Sequence, residues 1–191
     1  DSDDAADILG ELSEKRKEEV ISEISDNDLA DDLKELLSYK EDSAGGLMAK
    51  ELGQANENWS VTKCLKEIKK QGENVTRVHS IYVVDDKQIL IGRLSLKDLI
   101  TSPAKNLIKD IYIPKVDSVN VFEDGEEVAK IMSKYDLEAI PVVDNKKQLV
   151  GRITIDDIID FIKEEAEEDY LLAAGVQGDV EADDSILELT K

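Results

Sequence analysis

Apolar residues recur along this chain with two different periods. Ile81-Tyr82-Val83-Val84 and Ile140-Pro141-Val142-Val143 are short, β-branched runs of the kind that form buried strands. Polar turn clusters follow them, Asp85-Asp86-Lys87 and Asp144-Asn145-Lys146. A second apolar run comes next, Ile89-Leu90-Ile91 and Gln148-Leu149-Val150, closed by Gly92 and Gly151. Helical spacing governs the rest. It predicts short helices through Ile8, Leu9 and Leu12, through Val20, Ile21 and Ile24, and through Leu29, Leu33, Leu36 and Leu37. It predicts further helices through Val61, Cys64, Leu65 and Ile68, and across Phe122–Tyr135 with Val128, Ile131 and Met132 on one face. Met132 and Trp59 read as core. The first helix is expected over Asp3–Leu12. Ser25 is the expected cap of the third, with Asp28 at the capping-box position.

The strand-rich stretch is duplicated. Val83 to Ile100 and Val142 to Ile159 superpose without a gap, 59 residues apart. Both copies carry Gly-Arg (Gly92-Arg93, Gly151-Arg152), then a hydroxyl (Ser95, Thr154), then an aspartate three residues on (Asp98, Asp157). A repeat of this kind means two copies of one strand–turn–strand–helix unit. Hydroxyl and carboxylate at this spacing form a capping box for the following helix.

Composition narrows the function. Asp and Glu number 45 against 24 Lys and Arg, a formal net charge of −21. Such a surface repels nucleic acid and an anionic membrane, so neither is expected as a direct partner. The single Cys64 cannot form an internal disulfide, and with one histidine, His79, an ordinary structural zinc site is excluded. No apolar run approaches the roughly 18–20 residues that span a bilayer. No nucleophile–base pair, phosphate-cradling loop or histidine cluster marks an enzyme. Many carboxylates fall one turn apart in the expected helices, including Asp3 and Asp7, and Glu164, Glu165, Glu167, Glu168 and Asp169 with Lys163 as their nearby cation. Like charges at that spacing destabilise a helix by a few tenths of a kcal/mol per pair, so such a region is either extended or binds cations.

The motif G-x-x-[S/T]-x-x-D behind a strand pair resembles the signature of CBS domains, which pair around a cleft. Between the acidic helical segment and this pair, Glu41-Asp-Ser-Ala-Gly-Gly-Leu-Met48 resembles the junction of the MgtE family of magnesium transporters. The likeness covers essentially the whole chain. It implies a mixed α+β fold: a tandem CBS-domain pair preceded by a small all-α segment and followed by a long acidic helix. The expected divisions are 1–42 for the end of a helical N domain, 43–108 and 109–166 for the two CBS domains, and 167–191 for a connecting helix and tail leading toward a transmembrane domain. Gly175 and Gly178 are expected to break that helix ahead of the apolar Ile186, Leu187 and Leu189.

The resemblance also implies a function and its residues. The region would sense Mg²⁺ on the cytoplasmic face of a cell-membrane transporter, favouring the closed pore. It would form a homodimer through the CBS pair. Metal would be held by Asp3 and Asp7 opposite Asp136 and Asp157, and by Glu165, Glu168 and Asp169 bridging to neighbouring segments, among them the Gly46 carbonyl. In CBS domains the motif aspartate often holds an adenine-nucleotide ribose. That role falls on Asp98, with Ser95, Lys97 and Thr154 near the phosphates and ATP as the candidate ligand. The alternative function is an adenine-nucleotide-binding CBS module regulating another membrane protein or an enzyme.

Overall fold

The computed structural model describes residues 1–72 and 80–173. His79, the expected break at Gly175 and Gly178, and the tail with Ile186, Leu187 and Leu189 lie outside the described residues.

Three helices open the chain: α1 (Ser2–Gly10), α2 (Glu14–Glu23) and α3 (Asn27–Leu36). The first ends two residues before the expected Leu12, and Ile8, expected on its apolar face, is 67% exposed while Ala6 and Leu9 are buried. The third is capped by Asp26 rather than by Ser25. Its Oδ1 accepts from the amides of Asp28 (3.0 Å) and Leu29 (3.3 Å). The helix starts at Asn27, which puts these two amides within reach of residue 26 and leaves Ser25 one residue too early.

Each repeat then forms its own small sheet. The first contains β1 (Gly53–Asn56), α4 (Val61–Gln71), β2 (Ile81–Val84), β3 (Leu90–Leu94) and α5 (Leu96–Thr101), followed by a 3₁₀ turn at Ile108–Asp110 and β4 (Ile113–Pro114). The second contains β5 (Val119–Asn120), α6 (Gly125–Tyr135), β6 (Ala139–Val143), β7 (Leu149–Thr154) and α7 (Ile155–Ala173). Strand order is β1-β2-β3-β4 in one sheet and β5-β6-β7 in the other. In both, the first pair is parallel and the hairpin pair antiparallel. The α7 helix runs 19 residues without interruption, so Asp157 and the acidic Glu164–Asp169 stretch share one rod.

The two units exchange edges. Ile113–Pro114, from the linker that enters the second unit, pairs with β3 of the first. Ala49, from the linker that enters the first unit, bridges to Arg152 of the second, with hydrogen bonds of 2.8 and 2.9 Å. The repeated Gly-Arg explains itself here. A Cβ on Gly92 would strike the Ile113 carbonyl and the Tyr112 ring, and one on Gly151 would meet Met48 Sδ at 2.6 Å and the Ala49 carbonyl at 2.9 Å. Glycine stands in both copies because a neighbouring backbone lies against that strand. The hairpin turns also pair with each other, through Leu90 N–H to the Lys147 carbonyl and Leu149 N–H to the Gln88 carbonyl, both 3.0 Å.

Burial divides unevenly. The first unit encloses its own core of Ala55, Val61, Cys64, Ile81, Val83, Leu94, Leu99 and Ile108. The second shares one continuous core with the helical segment, joining Ala6, Leu9, Leu33 and Leu36 through Ala44 and Met48 to Val128, Met132, Ile140, Ile153 and Ile158. The junction is therefore strapped to the second unit. Ala44 and Gly45 donate to the carbonyls of Glu123 (2.7 Å) and Val121 (2.8 Å), and Gly125 donates to that of Asp42 (2.8 Å).

Candidate functional site

The motif aspartates begin as capping groups. Ser95 Oγ accepts from the Asp98 amide (3.0 Å) and donates to Asp98 Oδ2 (2.6 Å). Asp157 Oδ2 accepts from the Thr154 amide (2.9 Å), and the Thr154 hydroxyl lies 2.5 Å from it and 2.6 Å from Asp156 Oδ1. These bonds fix each carboxylate by one oxygen at a helix start.

What distinguishes Asp157 from Asp98 is the helix opposite. Asp3 on α1 is 7% exposed, and its Oδ1 is buried with no hydrogen-bond partner. Burial pushes the Asp3 carboxyl up to about 6, and the charge of Asp157 adds to the rise. Asp7, one turn along, is also pushed up to about 6, first by burial, then by Glu41 and Glu164, with Asp4 and Asp157 behind them. Carboxylates from α1, from the junction (Glu41) and from the start and middle of α7 (Asp157, Glu164) thus line one seam. Glu41 and Glu164 were not anticipated in it. The only sequence signal for them was the acidic residue just ahead of the double glycine and the acidic run itself.

A second gathering lies further along α7. Glu165 is held above the usual carboxylate range, by local loss of water and then by Glu168, Asp169, Asp42 and Glu126. Asp42 and Glu126 are its unanticipated members. Gly46 sits in the tight turn of the strap, where a Cβ would meet the Glu41 carbonyl at 2.8 Å.

Asp136 takes a different position. It closes α6 in the left-handed conformation (φ 52°, ψ 50°) and lines both a groove and a cleft. The groove, ≈490 Å³, runs between α6 and α7 along Ala129, Met132, Ile158, Ile159 and Ile162. The cleft, ≈430 Å³, lies between the units and presents Tyr82, Arg93, Lys115 and Tyr135 beside Asp117, Asp136 and Glu138. Ser95, Lys97 and Asp98 do not line it.

Among the described residues, no group of three or more His, Cys, Asp or Glu side chains is close enough to hold a metal by itself. The Asp3–Asp157 seam instead offers two carboxylates, one of them with an orphaned buried oxygen, Asp3 Oδ1. That donor set suits a small hard cation that keeps most of its water and takes only one or two protein carboxylates. No helix among the described residues is long and apolar enough to cross a membrane.

Comparison with known proteins agrees with this architecture. The CBS domain profile matches residues 44–105 and 108–164. The magnesium transporter MgtE of Enterococcus faecalis is 40% identical over 147 residues, 77% of this chain and 32% of that protein. The crystal structure of the soluble part of a magnesium transporter superposes with a TM-score of 0.79 at 38% identity, covering 86% of this chain and 64% of the other. That of the cytosolic domain of the Mg²⁺ channel MgtE in complex with ATP gives 0.77 at 35% identity, covering 84% and 65%. The chain spans about a third of the length of the curated relatives it matches. With two profile matches in tandem and the helical segment in place ahead of them, the chain belongs to the CBS-domain family, in the form found in the cytosolic region of the MgtE magnesium transporters.

Proposed function

We propose that this region senses Mg²⁺ for a magnesium transporter, on the cytoplasmic face of the membrane, and favours the closed pore when the ion is plentiful. The observation that carries the reading is the buried, unpartnered Asp3 Oδ1, on a carboxyl close enough to Asp157 to feel its charge. An ion there is coordinated by Asp3 and Asp157 with water completing the shell, and Asp7 and Glu164 extend the seam. Glu165, Glu168 and Asp169 form a second, solvent-facing binding edge against Asp42, near the Gly46 turn. Asp136 bounds the cleft side of the second unit. Each bound ion neutralises charge between α1, the strap and α7, so it binds the closed arrangement better than an open one. That difference in affinity is what a switch requires.

The chain acts as a homodimer in this reading. Leu96 and Ile100 on α5, and Ile159 and Ile162 on α7, are exposed apolar residues; Ile100 and Ile159 are repeat equivalents, and Ile159 and Ile162 line the α6–α7 groove. A second copy seated on that face covers them. The transmembrane domain of the same transporter is the downstream partner of α7.

A second ligand is favoured by the cleft. The exposed Tyr135 offers an aromatic face, with the buried Tyr82 in the wall, and Arg93 and Lys115 offer positive charge, a combination suited to a nucleotide such as ATP. Lys97 and Asp98 stand on the helix that starts beside Ser95.

Limited proteolysis of the chain across a magnesium series tests the sensor. The Tyr39–Met48 strap should become protected as the ion is added, and less so in Asp3→Ala and Asp157→Ala. Equal cleavage with and without magnesium removes the reading. Protection by ATP in the absence of magnesium would instead favour a nucleotide-responsive module.

A further inference from the structure

The two copies of the motif use their hydroxyls differently. In the first, Ser95 Oγ caps α5 by accepting from the Asp98 amide (3.0 Å), and it donates to Asp98 Oδ2 (2.6 Å). In the second, the Thr154 hydroxyl turns to two carboxylates, lying 2.5 Å from Asp157 Oδ2 and 2.6 Å from Asp156 Oδ1. The Thr154 amide donates to the same Asp157 Oδ2 at 2.9 Å. Thr154 is itself firmly held. It is 5% exposed and closes β7 opposite Ala139, and the next amide, that of Ile155, donates to the Glu138 carbonyl at 3.0 Å. Its branched side chain restricts χ1 further.

One oxygen of Asp157 thus meets two donors of a single buried residue. The hydroxyl has one proton for the two carboxylates, and the amide bond holds Oδ2 in either case. A carboxylate oxygen has two lone pairs, so with both donors in place Oδ2 has none left for a cation, and Asp157 offers Oδ1 alone. Asp3 brings one orphaned oxygen of its own, Oδ1. Cations differ in how they use such ligands. Ca²⁺ gathers about six to eight oxygens and readily takes both from one carboxylate, whereas Mg²⁺ demands an octahedron, keeps several waters and is satisfied by one or two carboxylates. We infer that Thr154 is a positioning residue that sets the cation preference of the seam. By engaging Asp157 Oδ2 it limits this ligand to one oxygen, which suits Mg²⁺ and withholds from Ca²⁺ the second oxygen it would take. The inference rests on the reading of Asp3 and Asp157 as a magnesium seam, and it gives Thr154 a task that its counterpart Ser95, a helix cap, does not share.

The test melts the full chain across separate Mg²⁺ and Ca²⁺ series and takes, for each ion, the concentration giving half the maximal rise in melting temperature. The melt in chelator shows that each variant has folded, and the seam's share of the response is the part lost in Asp3→Asn. Thr154→Val keeps the shape and removes the hydroxyl. It should raise the half-maximal Mg²⁺ concentration by about tenfold or more, as loss of an outer-shell partner does, and the Ca²⁺ value by much less. Thr154→Ala removes the same hydroxyl with a smaller side chain and should shift the preference in the same direction. Thr154→Ser returns the hydroxyl and should restore the wild-type ratio of the two ions. A merely structural role would weaken both ions alike, so an unchanged ratio in Thr154→Val and Thr154→Ala overturns the inference, as does a Thr154→Ser protein that keeps the altered ratio. The seam fails separately: if Asp3→Asn titrates with both ions as the wild type does, the magnesium seam falls and the role of Thr154 falls with it. If Asp3→Asn loses magnesium response while the ratio in Thr154→Val stays that of the wild type, only the role of Thr154 is lost.

Discussion

Asp3 and Asp157 belong to different parts of the chain, yet the charge of Asp157 helps to hold the buried Asp3 carboxyl up at about 6. Asp7 is raised to the same region by burial, Glu41 and Glu164. A raised carboxylate favours its protonated form in the docked state. The stability it contributes is present in full below the ordinary carboxylate pKa near 4 and is lost as pH rises through about 6. Without magnesium, the α1 seam should therefore tighten on acidification from pH 7.5 to pH 5. Hydrogen exchange of the α1 amides, corrected for intrinsic rate, reads this directly. Slower exchange at the lower pH is expected in chelator, and the dependence should shrink at saturating magnesium. A profile that is flat in chelator across the same interval contradicts the assignment.

The same relationship makes two substitutions at one position diverge. Asp3→Asn keeps the shape and removes the charge, so in chelator it should stabilise the docked form and raise the melting temperature. Magnesium should then add less. A single ion at 100 times its Kd contributes about 2.7 kcal/mol, and Asp3→Asn should lose about that much of the increment while keeping whatever the Glu165–Asp169 edge contributes. Asp3→Ala also removes the charge but leaves a small void, so it gains less in chelator. Calorimetry of the three proteins with and without magnesium checks the order. An undiminished magnesium increment in Asp3→Asn would place the ion elsewhere.

The duplicated strands, the repeat boundaries around Gly92 and Gly151, and the capping role of Ser95 were legible because they depend on local pattern; at Thr154 only the return bond of the box forms, from its amide to Asp157, and its hydroxyl turns to the carboxylates. β1, β4 and β5 were not: they are two to four residues long, too short to carry a period, and the pairing of β4 is set by the exchange of linkers between units. For the same reason the sequence pointed to Asp3, Asp7 and Asp157 but not to Glu41, Asp42 or Glu126, whose placement depends on the strap docking against α6. Arg152 was visible only as half of a repeated dipeptide. Its burial follows from which linker lies beside it, and no pattern within the repeat encodes that.

The misread cap gives a local check on the helical segment. Asp26→Ala removes both bonds at the start of α3 and should cost about 1 kcal/mol, the usual worth of such a cap. Ser25→Ala should change stability by no more than a few tenths. Urea melts of the two variants decide it, and an equal or larger loss in Ser25→Ala would mean that α3 begins a residue earlier than Asn27.

Gly151 and Gly10 offer a contrast in what one methyl group can do. At Gly151 the added carbon meets Met48 Sδ at 2.6 Å and the Ala49 carbonyl at 2.9 Å. The thioether can turn aside, but the carbonyl belongs to a backbone that is itself hydrogen-bonded to Arg152. The linker must shift, and Gly151→Ala should cost roughly 1–3 kcal/mol, as overpacking does. Because that linker leads into Lys50 and back through the strap, the variant should also expose the Tyr39–Met48 segment to protease at magnesium concentrations that protect the wild type. At Gly10, on the last turn of α1, nothing stands within 4 Å. There the methyl group relieves backbone entropy without a clash, and Gly10→Ala should stabilise by about 0.5–1 kcal/mol. Opposite signs in thermal melts of the two proteins are the expected outcome. A neutral Gly151→Ala would mean that the edge exchange between the units is looser than its hydrogen bonds indicate.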